Sequence, residues 1–351
     1  MNPFLSVAIL LLTTGLLFTL PLLPAIWELQ RKSDALPLDV IQQHAGEIRY
    51  FADRFRSYLE PLEPVFRETS ATGQKAVGIM PDGTEYLVLG LGTEALGLPL
   101  GERDKLCPVL LASATDLTVS ANSTFSRDVY SRGHFVGDSN NQYRALLAEH
   151  GLHLGAGSSV MRWVHAGGEL QVETGCKLFG RASSDARLRL SPDCTFVRLN
   201  ATRIEFGNPM ESPRSLPHPT GLLAHSRRRL CGGDFEIKPE EIFRGDLVVR
   251  GNLRIGSGAK VFGSVKSDKE LIVESGALID GSLISSKKLL IGPHCMVRGP
   301  IISERVLLIE AGTQCGAADA PTTVSATRIS IAPGVVVFGT VWARELGEVL
   351  A

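Results

Sequence analysis

The chain has 351 residues, 44% of them apolar, and 36 basic against 37 acidic side chains give a formal net charge of -1. That length allows one large domain or two ordinary ones, and the balanced charge excludes the global field that draws a protein to nucleic acid or to a strongly acidic partner. Six cysteines, Cys107, Cys176, Cys194, Cys231, Cys295 and Cys315, include no CxxC pair. They read as ordinary thiols rather than a disulfide framework.

From Phe4 to Trp27 there are 24 residues without a charged side chain, enough to cross a hydrocarbon core that needs about 20. The run predicts a transmembrane helix. No basic residue precedes it and Pro24-Ala25-Ile26-Trp27-Glu28 lacks a small-residue cleavage site, which argues against a removed signal peptide. Trp27 suits the interface, and Arg31 and Lys32 follow it, so the positive-inside bias makes the chain single-pass with its C-terminal part in the cytoplasm. Residues 1–34 form the expected anchor.

Residues 35–80 read as a helical stalk or linker. Ile41, Ala45, Ile48, Phe51, Phe55 and Leu59 recur at helical spacing, and Pro61 is expected to end the helix. A partner-docking helix and a surface helix packed on the next domain are equally compatible with this pattern. Pro81-Asp82-Gly83 then signals a turn into the strand-like Glu85–Leu89. Gly90-Leu91-Gly92-Thr93-Glu94-Ala95-Leu96-Gly97 has neither the GxGxxG nor the GxxxxGK[ST] spacing, so it reads as a turn-rich loop and not as a nucleotide site.

Written in rows of eighteen, the C-terminal third shows apolar columns. Phe235, Leu253, Leu271, Leu289 and Leu307 fill one, and Ile237, Ile255, Val273, Ile291 and Ile309 another. Phe243, Val261, Ile279 and Val297 form a third, and Leu247, Val265, Leu283 and Ile301 a fourth, with Gly245, Gly263, Gly281 and Gly299 between them. After an insertion around Ala318 to Thr323 the pattern resumes at Ile329, Ile331, Val335, Val337, Gly339 and Val341. Alternation within a row is the period of a strand, and recurrence every row makes each row one coil of a solenoid. The predicted class is therefore all-β, a β-helix of about 18 residues per turn, over 235–345, with Val273 facing inward and Ser267 in an outer turn.

An earlier array, within 81–206, repeats at the same period through Leu152, Leu170 and Leu188, Leu154, Val172 and Leu190, and Val160, Leu178 and Phe196. Cys176 and Cys194 fall in its inner columns. Leu117, Val119, Phe125 and Val129 suggest an irregular earlier turn. Between the arrays, residues 207–234 carry four prolines and Arg227-Arg228-Arg229 and read as a surface excursion. Its arginines suit either anionic lipid head groups or solvent.

Nothing in the sequence proposes chemistry. His44, His134, His150, His153, His165, His218, His225 and His294 make no HxH or HxxxH pattern, and no GxSxG elbow occurs. No catalytic residue, metal or cofactor is implied, and the sequons at Asn122 and Asn200 are patterns alone.

The stretches Leu253–Val265 and Leu271–Leu283 resemble bactofilins, the bacterial polymer-forming cytoskeletal proteins, over about residues 235 to 341 and more loosely 152 to 196. The resemblance implies a right-handed β-helix that polymerises end to end without nucleotide, at the inner membrane, with itself and with cell-envelope or morphogenesis proteins as partners. The anchor and the long region before the clearest repeat depart from the usual small member. An alternative arises because eighteen is three hexapeptides: Ile255-Gly-Ser-Gly-Ala and Ile291-Gly-Pro-His-Cys resemble left-handed β-helix acyltransferases, which need a positioned histidine base. Only His165 and His294 lie near the coils. For self-association, the last row, with Ile329, Ile331, Val335, Val337 and Phe338, is expected to leave an open apolar edge for a second copy.

Overall fold

The computed structural model describes residues 3–23, 49–90, 105–207 and 228–351. Residues 1–47 and 48–351 form two separate units. In the first, α1 (Pro3–Thr19) runs for 17 residues and passes into a 3₁₀ turn, Leu20–Leu22. Thr13, Thr14 and Thr19 return their hydroxyls to carbonyls one turn back, so the helix exposes little unsatisfied polarity. At 1.5 Å per residue α1 is about 26 Å long, short of the roughly 30 Å hydrocarbon core. No helix among the described residues is long and apolar enough to cross a membrane. The far end of the apolar run, residues 24–27, and Arg31 and Lys32 lie outside the described residues.

The second unit opens with α2 (Tyr50–Leu59), a 3₁₀ turn (Glu60–Leu62) and α3 (Glu63–Thr72), which ends on Gly73 in the left-handed region, φ 71°. α2 ends at Leu59, as the sequence predicts from Pro61. Pro61 sits at the start of the 3₁₀ turn, and Pro64 opens α3, where a missing N–H costs nothing. This segment is not a free stalk: Ala52, Phe55, Leu59, Leu62 and Phe66 are buried in one cluster with Val88, Leu110, Ala112, Tyr130 and Leu147 of the solenoid.

From Glu85 onward the chain is a solenoid of three-strand turns, and the final strand of the second array adds a seventh segment, 346–349, to its first face. In the second array face I holds 235–237, 253–255, 271–273, 289–291, 306–309 and 328–331, all parallel and in register. Face II begins at 242–244 and face III at 229–231, each advancing by the same step. The inward ladder Ile237, Ile255, Val273, Ile291, Ile309 and Ile331 is wholly buried. Glycines mark the bend between faces II and III: Gly263 has φ 150°, and a Cβ there or at Gly281 would overlap the carbonyl of the glycine one rung earlier.

The first array is more regular than expected. Leu117, Val119, Phe125 and Val129 belong to an ordinary rung, paired with Phe135, Gly137, Tyr143 and Leu146 of the next. That next rung is one residue short, since Phe135 is followed by Leu152. The second array begins at Arg229, inside the segment expected to be an excursion, of which residues 208–227 lie outside the described residues.

Turns that look polar in sequence are partly interior. Ser267, Ser285 and Ser303 are buried, and the single proton of each hydroxyl is shared between two carbonyls within reach, for Ser267 those of Gly251 at 2.8 Å and Glu270 at 3.0 Å. Reading Ser267 as an outer turn position is thereby corrected. The cysteines form a similar ladder: the thiols of Cys176, Cys194 and Cys295 reach Gly155 O, Glu173 O and Glu274 O at 3.3, 3.0 and 3.0 Å, and Thr313 does the same to Gly292 O. Burial pushes the Cys295 thiol up to about 11.

Candidate functional site

The distinctive feature of a solenoid is its ends, where a rung has main-chain groups on one side without a neighbouring rung. This chain joins two of its own. Strand Thr195–Phe206, the last rung of the first array, pairs antiparallel with strand Val336–Val349, the last rung of the second. Leu199 faces Val341 and Asn200 faces Thr340, so face III meets face III; Phe196 of face II meets Gly347 of face I, and Ile204 of face I meets Val337 of face II. That exchange of faces I and II is what an approximate two-fold axis perpendicular to the solenoid requires.

The seam is closely bonded. Asn200 Nδ2 donates to Gly339 O at 3.2 Å and Thr340 Oγ1 at 2.7 Å, Val349 N to Cys194 O at 2.9 Å, and Phe206 N to Val335 O at 3.1 Å. Gly347 permits the approach, because a Cβ there would lie within the ring of Phe196, itself packed on Phe206 with centroids 6.0 Å apart.

This corrects the expectation for the C-terminal row. Ile329, Ile331, Val335, Val337 and Phe338 are all buried, and Val337 lies between Cys315 on one side and Ile204 on the other. The edge expected to be open is covered within the chain.

The free edges lie at the opposite ends. Among the described residues, nothing pairs with the outer side of strands Arg229–Cys231, Phe235–Ile237 and Ile242–Arg244. Phe235, Phe243 and Cys231 are only partly buried there, and Leu230 and Ile242 are 63% and 56% exposed. At the other end the hairpin strand Ala76–Ile79 pairs antiparallel with Glu85–Leu89 and leaves Val77 and Ile79 exposed. Of the three arginines weighed for lipid contact, Arg227 lies outside the described residues, Arg228 is exposed, and Arg229 lies over the Phe235 ring at 4.5 Å.

The histidines near the coils are placed differently from a general base in a cleft. His294 occupies an exposed turn with φ 58°, against Gly312. His165 is buried on face III, its Nδ1 2.9 Å from Ser183 Oγ and its Nε2 3.8 Å from Asp185, which Arg49 holds at 2.8 Å. Burial, only partly offset by Asp185, lowers its basicity. His134, His150 and His153, which sequence spacing did not connect, line an open groove of about 430 Å³, with the first two rings 5.4 Å apart and His153 Nε2 3.2 Å from Glu173. The described residues contain no group of three side chains placed to hold a metal ion. A cleft of about 360 Å³ between α2 and face III is lined by Tyr58, Asp82, Asp128, Arg127, Arg144 and Trp163 among others, and burial raises the Asp128 carboxyl.

Comparison with protein-family models, with curated proteins and with solved structures finds no match to this chain.

Proposed function

We propose that this chain is a structural, self-associating scaffold of the bactofilin kind, a right-handed β-helix held at the inner membrane by its N-terminal apolar segment, with the solenoid in the cytoplasm, assembling without nucleotide. The observation that carries the reading is the first rung of the second array, 229–246, whose outer strand edges have no partner among the described residues and whose Phe235 and Phe243 are partly exposed. The same chain already closes one pair of like solenoid ends by antiparallel pairing, so a like-end contact between two molecules at the first rung asks for no new geometry. A two-fold contact there closes a dimer, and a second contact through the edge Ala76–Ile79 extends dimers into filaments.

Sedimentation of the full chain in a non-ionic detergent tests this. The expected outcome is a species larger than one chain per micelle, without added nucleotide or metal, that Ile242→Asp or Phe235→Lys reduces while circular dichroism is unchanged. Wild-type protein with one chain per micelle at tens of micromolar, about the range in which a micromolar contact is populated, would refute the assembly. A trimer that binds an acyl donor would favour an acyltransferase instead.

A further inference from the structure

Where face II turns into face III of the first array, five successive rungs each carry an arginine: Arg127, Arg144, Arg162, Arg181 and Arg198. The carboxylate among them is Asp128, 3.4 Å from Arg144 Nη1. Among the described residues no carboxylate lies within ion-pair distance of the other four. Arg181 and Arg198 are direct partners across neighbouring strands, an arrangement in which like charges repel. They lie instead over aromatic rings, Arg181 over Phe51 at 5.0 Å and Arg198 over Trp342 at 5.3 Å. One carboxylate, Asp128, offsets Arg127, Arg144 and Arg162 in part, and among the described residues none lies within ion-pair distance of Arg181 or Arg198, so the row keeps a net positive charge that an anionic surface would neutralise.

The same corner carries apolar side chains turned outward. Val160, Leu178 and Phe196 stack inward in register, so the residues that follow them, Met161, Phe179 and Val197, form a ridge beside the arginines. Met161 and Phe179 are 56% and 52% exposed, and across the seam Trp342 and Leu346 continue the exposed apolar row at 43% each. With rungs about 4.8 Å apart, the five rungs span about 19 Å.

We propose that this corner is a docking surface for an anionic lipid bilayer, with Phe179 and Met161 entering the acyl boundary, Trp342 at the head-group level and the arginines on lipid phosphates. A protein partner would need a groove to enclose an outward-turned ridge, whereas a bilayer has only to accept it. Apolar protrusions flanked by arginine, with a tryptophan alongside, match the chemistry of the bilayer interface. The contact does not rest on self-assembly, and it lays the solenoid axis along the membrane plane.

The test uses the full chain reconstituted into vesicles of phosphatidylcholine alone or with phosphatidylglycerol, each containing bromine-labelled lipid. The signal from the ridge is the quenching that Trp342→Phe removes. Expected is Trp342 quenching with phosphatidylglycerol that high salt abolishes. In Arg162→Gln/Arg181→Gln/Arg198→Gln it is also lost, the docking equilibrium falling about a hundredfold if each arginine near the surface contributes about fivefold. The thermal midpoint of that variant in detergent should equal the wild type. No Trp342 quenching with phosphatidylglycerol, equal quenching in phosphatidylcholine alone, or undiminished quenching in the triple variant would overturn the proposal. So would a changed assembly state of the triple variant in lipid-free detergent, which would assign the ridge to contact between copies. Failure of self-assembly with ridge quenching intact would instead count against the scaffold reading alone.

Discussion

The seam between the two arrays can be tested by exchanging volume across it. In the wild type the buried ring of Phe196 fills the space that a side chain at position 347 would need. Gly347→Val forces the ring and the strand apart, an overpacking cost of about 1–3 kcal/mol. Phe196→Ala leaves a cavity beside Phe206 and costs about 3–5 kcal/mol. If the two positions were independent, the double variant would lose about 4–8 kcal/mol. If they share one space, the valine in the double variant meets no ring and buries up to three carbons at about 0.8 kcal/mol each. The double variant should then lie about 2 kcal/mol or more above the additive expectation, a coupling in the range measured for contacting residues. Urea unfolding of the four proteins, with midpoint and slope compared, measures it. Additive losses, or a silent Gly347→Val, would refute the antiparallel seam.

Two further outcomes follow from the interior. Val273 is wholly buried between Ile255 and Ile291, so Val273→Lys should cost several kcal/mol, and Ser267→Lys should be nearly as damaging because it places an amine where a hydroxyl sits between two carbonyls. Lys266→Ala, on the exposed side of the same strand, should stay within about 0.5 kcal/mol in thermal unfolding. His165 is surrounded by Asp185 and Ser183 of its own face, Arg49 and Arg56 from the α2 side and Glu149 from the preceding rung, and burial keeps it neutral in the fold. Its folded pKa lies below that of the unfolded chain, so the unfolded state takes up the proton first. Stability from this group is full above about pH 6.5 and is lost as pH falls further. His165→Gln should flatten the acid side of a stability-versus-pH curve, and an unchanged slope would show that another group sets it.

The coil was legible because its signal is additive. Each column repeats in as many as six rows, and an inward position such as Val273 is fixed by the rows above and below as much as by its own neighbours. The rung Phe135–Leu147 was harder to see because it is one residue short, which shifts every column by one and reads as an interruption. Ser267, Ser285 and Ser303 also repeat at eighteen residues, but hydropathy alone places a serine such as Ser267 in an outer turn. The fold buries all three by giving each oxygen two carbonyl partners, which no hydropathy pattern records.

The ends were misplaced for a different reason. Apolar columns say that rows stack and in what order, but the groups that join one end to another are main-chain N–H and C=O, identical in every row. An end rung therefore has the same side-chain pattern as a middle one, and Val337 reads alike whether its outer neighbour is water, a second copy or Ile204. Only small departures mark the seam: Gly347 where the inward column otherwise calls for bulk, and Asn200 and Thr340, which bond to each other on the outer side. The position of the free ends follows from the fold alone. Once the two C-terminal rungs are joined to each other, the strand edges left unpaired among the described residues lie at the rung of Arg229–Arg244 and, at the opposite end, at Ala76–Ile79, Leu106–Cys107 and Leu117–Val119, and growth by strand pairing starts from these.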